Sequence, residues 1–261
     1  MRIGLFGDIH ANLIALDAVL ADMRQHQPDL MVCLGDLAIT GPHPHEVVDR
    51  VRSLGCVVVR GNWDDWALQI HAGRRPADGS RPIDLWCAER LTAADLAFLD
   101  CFPLTYEISL PSNQSMLCYH GSPRDYNDCL TSTTPHEDLD RLLEGRREGI
   151  MAGGHVHVAM LRRHAEALVI NPGSVSENWH LSAWPTQLFN AHAEYALVTV
   201  DDSATSVTFR RVPIDHRAVI REARQRKMPD VEEWSERWRS GGDDPGGHHR
   251  HRRDRDVMET T

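Results

Sequence analysis

The sequence predicts an α/β fold in which two β-sheets pack face to face. In the first 60 residues, short apolar runs alternate with stretches of helical spacing, which is typical of βαβ units with parallel strands. After residue 104, six further strand-like runs follow, and we expect them to build a second sheet.

The N-terminal part supplies the parallel strands. Continuous apolar runs at 30–34 and 56–59 are typical of strands that are buried on both faces, and residues 1–6 also predict a strand. Apolar residues recur at helical spacing over 13–23 and 45–54, which predicts the connecting helices. In such sheets, ligands bind beyond the carboxyl ends of the strands.

The rest of the chain is predicted in three parts. Residues 64–104 indicate helices with polar loops, which we interpret as a helical cap insertion beside the site. C-terminal helices are expected within 216–240, and they complete one domain over 1–240. A glycine-rich break then leads into a polar tail, 241–261, that we expect to be disordered. The strands predicted for the second sheet are 106–110, 116–119, 150–152, 167–170, 195–200 and 207–212.

Composition excludes some classes of partner. The chain has 261 residues and a formal net charge of −10, so it has no overall positive field that would attract the backbone of a nucleic acid. Bound cations would still allow a phosphate-containing substrate. The six cysteines show no C-x-x-C pair, the chain starts directly with a strand, and no apolar run is long enough to cross a membrane. We therefore expect a cytoplasmic protein without a signal peptide or membrane contact.

Five short segments deliver metal ligands where predicted strands end. They supply two carboxylates, one amide and four imidazoles, which is too many for one ion and suits two ions that share a carboxylate. The pattern predicts a two-metal hydrolytic centre, in which a bridging hydroxide attacks phosphorus in line. The side chains are Asp8, His10, Asp36, Asn62, His120, His155 and His157.

The spacing within these segments suits metal binding. Asp8 and His10 are two residues apart, so both point the same way if the extended geometry of the strand persists. His155 and His157 repeat this arrangement after two glycines, which let the backbone approach an ion closely. Asp36, central among the strands, is the natural bridging carboxylate. Mixed nitrogen and oxygen ligands favour manganese, iron, zinc, cobalt or nickel over magnesium.

Each segment also has an ordinary structural explanation. Asp8 could cap the helix that begins near Asn12, and a single histidine such as His120 is more often a surface or core residue. Seven suitable residues in this order would be an improbable accident, and the metal interpretation is therefore favoured.

The order of the segments resembles the calcineurin-like metallophosphoesterase superfamily over about residues 1–240. Asn171-Pro172-Gly173-Ser174 and the Thr40-Gly41-Pro42 loop look like its compact bacterial phosphodiesterase branch. The resemblance implies a four-layer αββα sandwich of two mixed sheets flanked by helices. It also implies two divalent or transition metal ions at the sheet edge.

The resemblance also implies the role of each ligand. One ion would be held by Asp8, His10, Asp36 and His157, and the other by Asp36, Asn62, His120 and His155. Asn12, together with backbone near Ser122, would line the phosphate pocket.

Two departures from the family pattern concern catalysis. The third motif usually reads Gly-Asn-His, but here Trp63 follows Asn62, and loss of a general acid typically costs about 10²–10⁴-fold with a poor leaving group. Trp63 either shapes catalysis toward good leaving groups or simply packs in the cap. The arginine that relatives often place after the Ser174 motif is also missing. Arg124 and His180 are candidate replacements for substrate binding, and His43 or His45 for proton donation.

The expected function is hydrolysis of phosphodiesters or nucleotide phosphoanhydrides, with a small phosphate ester, possibly a nucleotide, as substrate. The alternatives are a phosphoprotein or phosphomonoester phosphatase and a catalytically weakened metal-dependent binding module. Val231, Trp234 and Trp238 could serve a homo-oligomer or could pack back onto the same chain.

Overall fold

Two mixed five-stranded sheets form the centre of the protein in a computed structural model that describes residues 1–74, 81–147, 149–178 and 191–238. The strand orders are β10-β9-β1-β2-β3 and β4-β5-β6-β8-β7. In the first sheet β1, β2 and β3 are parallel, and β9 and β10 are antiparallel additions at one side. In the second sheet β5, β6 and β8 are parallel, with antiparallel strands β4 and β7 at the edges.

The strands are β1 (Arg2–Phe6), β2 (Leu30–Cys33), β3 (Val57–Val58), β4 (Tyr106–Ser109), β5 (Ser115–Cys118), β6 (Ile150–Ala152), β7 (Met160–His164), β8 (Ala167–Asn171), β9 (His192–Val200) and β10 (Thr205–Pro213). The helices are α1 (Leu13–Gln25), α2 (Pro44–Leu54), α3 (Asn62–His71), α4 (Pro82–Ala88), α5 (Ala93–Asp100), α6 (His136–Leu142), α7 (His216–Gln225) and α8 (Val231–Glu236).

Three apolar cores separate the layers. One lies between the sheets, where Ile3 and Leu5 of β1 meet residues such as Met116 and Ile150 of the second sheet. A larger core packs the outer face of the first sheet against all helices except α6. A third core packs the second sheet against α6 through residues such as Leu139. Helix, sheet, sheet and helix therefore form four layers, and the predicted αββα sandwich is confirmed.

The structure differs from the sequence prediction in four elements. The strands predicted at 195–200 and 207–212 belong to the first sheet, because β9 pairs with β1 rather than with a strand of the second sheet. Alternation of apolar residues within a strand does not encode the partner strand, which is chosen by long-range packing. Strand β7 and helix α6 were not predicted; β7 is a largely polar edge strand with a weak apolar signal.

The C-terminal helices pack back onto the same chain. Trp234 and Trp238 are 6% and 0% exposed within the core beside the first sheet. Of the two roles considered for these tryptophans, packing back onto the same chain is therefore the one that the structure shows. Of the helices in the described ranges, none combines the length and apolarity needed to span a bilayer. The predicted tail at 241–261 and part of the predicted cap loop, 75–80, lie outside the described residues.

Candidate metal centre

The seven predicted ligands meet at one edge of the sandwich. Each segment follows the carboxyl end of a parallel strand: β1, β2 and β3 in the first sheet, and β5 and β6 in the second. The two sheets align these ends, so residues from positions 8 to 157 come together in space. The architecture thus produces the juxtaposition that the strand-end pattern predicted.

The side chains form two adjoining clusters. The first contains Asp8, His10 and His157, and the second contains Asp36, His120 and His155; within each, the donor atoms lie within 4.8 Å of one another. Asn62 joins the second cluster, because its Oδ1 lies 3.1 Å from His120 Nε2 and 3.1 Å from His155 Nδ1.

Asp36 lies between the two clusters. Its Oδ2 is 3.2 Å from Nε2 of His120 in the second cluster and 4.0 Å from Nε2 of His10 in the first. Its Oδ1 accepts a hydrogen bond from the backbone N–H of Trp63 at 2.9 Å. This is the position that a bridging carboxylate would need.

Backbone carbonyls orient three of the imidazoles. Each of these rings directs Nδ1 at a main-chain oxygen, which fixes the ring and leaves Nε2 facing the carboxylates. The acceptors for His120, His10 and His157 are the carbonyls of Leu34, Ile39 and Glu177, at 2.6, 3.3 and 2.9 Å. This arrangement is the usual support of metal-bound histidine.

The first cluster has a geometry that requires a positive charge at its centre. With both Nδ1 atoms donating outward, the Nε2 lone pairs of His10 and His157 converge at 3.1 Å. Asp8 Oδ1 lies 3.3 Å from the same His157 nitrogen. Two lone pairs and a carboxylate at these distances repel one another unless a proton or a metal ion lies among them. The donor set therefore fits a divalent ion.

The pKa values of the buried groups also indicate that the site needs positive charge. Burial opposes every charge here, yet the negative charge of Asp36 raises the pKa of His120 to about 10, and that of Asp8 raises the pKa of His157 to about 9. The imidazolium charges in turn hold the pKa values of Asp8 and Asp36 below the ordinary value, against the effect of burial. Burial and the charge of His120 lower the pKa of His155 to about 4. In the absence of metal, protonated imidazoles balance the charge of the ionised carboxylates, and a bound ion would displace those protons.

The backbone at the ligands is left-handed, which the sequence did not predict. The φ angles are 53° at Asp8, 48° at His10, 58° at Asp36, 71° at His155 and 56° at His157. The expectation that extended geometry continues from Asp8 to His10 is therefore wrong. Positive φ is uncommon for residues other than glycine, and such strain concentrates at functional sites.

Glycines allow the close packing of these turns. A Cβ on Gly154 would lie 2.8 Å from Asp8 Oδ2, and one on Gly61 would collide with the carboxylate of Asp36. Gly7 instead makes room for Leu34, since a Cβ there would lie 3.0 Å from that side chain. Gly154 and Gly61 thus leave room for two ligand carboxylates, and the close approach of the backbone to an ion at the glycines before His155 stays a prediction.

Asp64 is a site residue that the sequence reasoning did not select. Its Oδ2 accepts from the backbone N–H groups of Asp36 and Gly61, each at 2.9 Å, and its Oδ1 accepts from Leu37 N–H at 2.9 Å. It is fully buried, and burial together with the charge of Asp36 raises its pKa to about 7, against the effect of the three N–H donors. The sequence signal that could have identified Asp64 is an acidic residue two positions after Asn62.

Asn12 is engaged in structural hydrogen bonds. Its Oδ1 accepts from Ala15 N–H at 3.1 Å and caps helix α1, and its Nδ2 donates to Ser176 Oγ at 3.1 Å. Asn12, rather than Asp8, is therefore the cap of this helix. Ser174 Oγ donates to the carbonyl of Asp8 at 2.9 Å, which ties the segment after β8 to the first cluster.

The other predicted residues lie at the rim or away from it. Trp63 is partly buried and packs edge-on against Trp66, with the ring centroids 4.4 Å apart. Arg124 is exposed and lines a cavity of about 210 Å³ beside Leu104 and Tyr126. The predicted proton donors do not face the clusters: His45 Nδ1 bonds to Asp95 Oδ2 at 2.7 Å, and His43 Nε2 lies 3.6 Å from Glu222 Oε2. His180 lies outside the described residues.

The four-layer fold and the two ligand clusters define a protein with a candidate metal centre at the edge of its sheets. Residues 1–203 match the calcineurin-like phosphoesterase superfamily domain, and the chain belongs to that superfamily. A related protein, an uncharacterized protein of Methanocaldococcus jannaschii, is 34% identical over 185 residues, which cover 66% of this chain and 69% of that protein.

Other relatives show the same affiliation. A crystal structure of a metallophosphoesterase from Sphaerobacter thermophilus superposes with a TM-score of 0.71 and 26% identity, covering 91% of this chain and 98% of that one. The symmetrical bis(5′-nucleosyl)-tetraphosphatase of Pectobacterium carotovorum is 37% identical over 94 residues, which cover 35% of this chain and 32% of that protein. The predictions of the superfamily and of a phosphoric ester hydrolase are confirmed. The identity of the metals and the role of each ligand stay predictions.

Proposed function

We propose that this protein hydrolyses phosphodiesters or nucleotide phosphoanhydrides at a centre of two metal ions. The observation that carries the proposal is the convergence of the two ligand clusters on Asp36. In the first cluster, the Nε2 atoms of His10 and His157 lie 3.1 Å apart with their lone pairs facing each other. Divalent ions at such a centre supply a water nucleophile at neutral pH and Lewis acidity toward phosphoryl oxygens.

The chain's own residues would divide the work between the two clusters. Asp8, His10 and His157 hold one ion, and Asn62, His120 and His155 hold the other, with Asp36 between them. The neutral amide of Asn62 adds no charge, which leaves its ion strongly Lewis acidic. The carbonyl hydrogen bonds keep the imidazoles oriented, so little reorganisation is needed when substrate binds.

The leaving group is the feature that narrows the substrate. Trp63 follows Asn62, and an indole cannot donate a proton to an alkoxide at neutral pH. Among the described residues, the contacts of His45 with Asp95 and of His43 with Glu222 give no support for either histidine as the general acid at this position. Esters with good leaving groups need no such help, and phosphoanhydrides and aryl or nucleoside diesters belong to this class. The partial similarity to a symmetrical bis(5′-nucleosyl)-tetraphosphatase supports a dinucleoside polyphosphate as one candidate.

The substrate class, the metal and the location of the protein are proposed on the same basis. A small nucleotide suits a chain of net charge −10 better than nucleic acid backbone does, because the positive charge would be confined to the metal centre. Manganese is our first choice of metal, within the mixed nitrogen and oxygen ligand set. We also propose a cytoplasmic location, one domain over 1–240 and a cap formed by 64–104.

A metal-loaded substrate screen tests the proposal. Wild type and Asp36→Ala would be assayed with Mn²⁺ on bis(p-nitrophenyl) phosphate, diadenosine tetraphosphate, cyclic nucleotides and a phosphoserine peptide. We expect metal-dependent turnover of the diester and the phosphoanhydride by wild type only. Activity confined to phosphoserine would instead identify a phosphatase, and metal binding without hydrolysis would identify a binding module.

A second substitution tests the leaving-group argument. Trp63→His should raise turnover of alkyl phosphodiesters, which have poor leaving groups, by more than that of bis(p-nitrophenyl) phosphate. Equal effects on both substrates would show that the side chain at position 63 takes no part in leaving-group departure.

A further inference from the structure

We propose that Arg81, supplied by the helical segment at 81–100, binds a non-bridging phosphoryl oxygen of the substrate. The inference rests on the proposed function and extends it to the residue that would read the phosphate. It starts from the contact of Arg81 with Trp63, the residue that follows Asn62.

Arg81 contacts a residue next to one of the predicted ligands. Its guanidinium carbon is 5.4 Å from the ring centroid of Trp63, which follows Asn62 and whose backbone N–H bonds to Asp36. The negative charge of Glu177 also acts on Arg81, and the carbonyl of Glu177 accepts from His157 of the first cluster. Trp63 therefore links Arg81 to the second cluster, and Glu177 links it to the first.

The guanidinium is held in a fixed orientation. Nε donates to Asp84 Oδ2 at 3.1 Å and Nη2 donates to Asp84 Oδ1 at 2.9 Å, while the backbone N–H of Arg81 also bonds to Oδ2 at 2.9 Å. Asp84 is 1% exposed. Because this pair is bidentate and one partner is buried, the planar fork is oriented before any ligand arrives.

One edge of the fork remains available. Within the part of the chain that the structure describes, Nη1 of Arg81 has no hydrogen-bond acceptor, and the side chain is 44% exposed. Burial opposes the charge, but the hydrogen bonds to Asp84 and the charges of Asp84 and Glu177 raise the pKa of Arg81. A permanently charged donor with a free N–H edge is suited to an anionic oxygen.

A purely structural role is the competing explanation. Arg81 precedes α4, and its contacts with Asp84 could serve only to start that helix. Such a role would not require the guanidinium to lie over the ring of Trp63, the residue that follows Asn62. Arg90 offers a matched control: it is an exposed arginine of the same helical segment, and its guanidinium lies 3.7 Å from the ring centroid of Trp86.

The experiment compares Arg81→Ala, Arg81→Gln and Arg90→Ala in the Mn²⁺-loaded full chain. Calorimetry with inorganic phosphate measures anion binding independently of turnover, and KM and kcat are measured on bis(p-nitrophenyl) phosphate. Metal content and melting temperature are recorded for each variant. Loss of one charge-assisted hydrogen bond predicts a phosphate Kd and a KM about 10- to 100-fold higher for both Arg81 variants. Arg90→Ala should stay within twofold of wild type.

Two results would overturn the inference. One is a phosphate Kd within twofold of wild type in Arg81→Gln that keeps its metal. The other is loss of metal in both Arg81 variants, which would assign a structural role. If wild type binds phosphate through Arg81 but hydrolyses no phosphoester, the phosphate site stands and the proposed hydrolase fails.

Discussion

Replacing Asp64 by asparagine removes the carboxylate that holds two ligand-bearing loops together. Both oxygens of Asp64 accept backbone N–H groups, at 2.9 Å from Asp36, Gly61 and Leu37. An asparagine side chain has one acceptor oxygen in place of two. In its better orientation that oxygen takes the Oδ2 position and keeps the bonds to Asp36 and Gly61, while the amide NH₂ faces Leu37 N–H.

The loss of unfolding free energy follows from two donors, the new amide NH₂ and the Leu37 N–H, which then face each other without an acceptor. Each unsatisfied buried donor costs about 1–3 kcal/mol, which gives about 2–6 kcal/mol for the pair. A neutral amide also relieves the cost of burying the carboxylate, whose pKa burial and the charge of Asp36 raise to about 7. We therefore expect the lower part of the range, about 2–3 kcal/mol. In a domain of this size that corresponds to about 4–12 °C in Tm.

Thermal melting and urea unfolding of the metal-free protein measure this loss. Asp65→Asn is the matched control, because Asp65 is 20% exposed and its partners Arg60 and Tyr126 are side chains. We expect Asp65→Asn to cost less than about 1 kcal/mol. Metal affinity should also fall about 10- to 100-fold in Asp64→Asn, since its backbone bonds place Asp36. A Tm for Asp64→Asn within 2 °C of the control would refute this reasoning.

Three further predictions concern stability and metal binding. Burial opposes ionisation of Asp95, but its hydrogen bonds to Thr92 and Arg52 hold its pKa below the ordinary value. The stability that ionised Asp95 contributes is complete above its pKa in the unfolded state, which is about 3.9. It is lost as the pH falls through the lower pKa of the folded state. Asp95→Asn should therefore cost about 1 kcal/mol in urea unfolding at pH 7, and this cost should shrink as the pH falls below about 3.9. Gly61→Ala should weaken binding of one metal equivalent at least about tenfold by calorimetry, because the added Cβ collides with the Asp36 carboxylate. Mn²⁺ at about 100 times its Kd should stabilise the protein by about 2.7 kcal/mol per site, and a Tm that EDTA leaves unchanged would contradict a metal centre.

Much of the fold was predictable because it depends on local patterns. The strand runs at 30–34 and 150–152 and the helix at 13–23 lie within a few residues of the observed elements. Strand β7 escaped prediction, since an edge strand needs little apolar sequence. The pairing of β9 with β1 also could not be predicted, because pairing joins residues nearly 200 positions apart that share no local signal.

The chemical identity of the candidate site was fixed by the residues themselves. Aspartate, asparagine and histidine after successive strand ends specify a mixed nitrogen and oxygen ligand set, whatever their final distances. Tertiary structure decided how these donors meet: which carbonyl orients each imidazole, that Asp36 lies between the clusters, and that Asp64 anchors its backbone. It also turned the backbone at Asp8 and His10 left-handed. The physical reason is that ligand type is a property of one side chain, whereas orientation, strain and charge coupling arise only when distant segments are packed together.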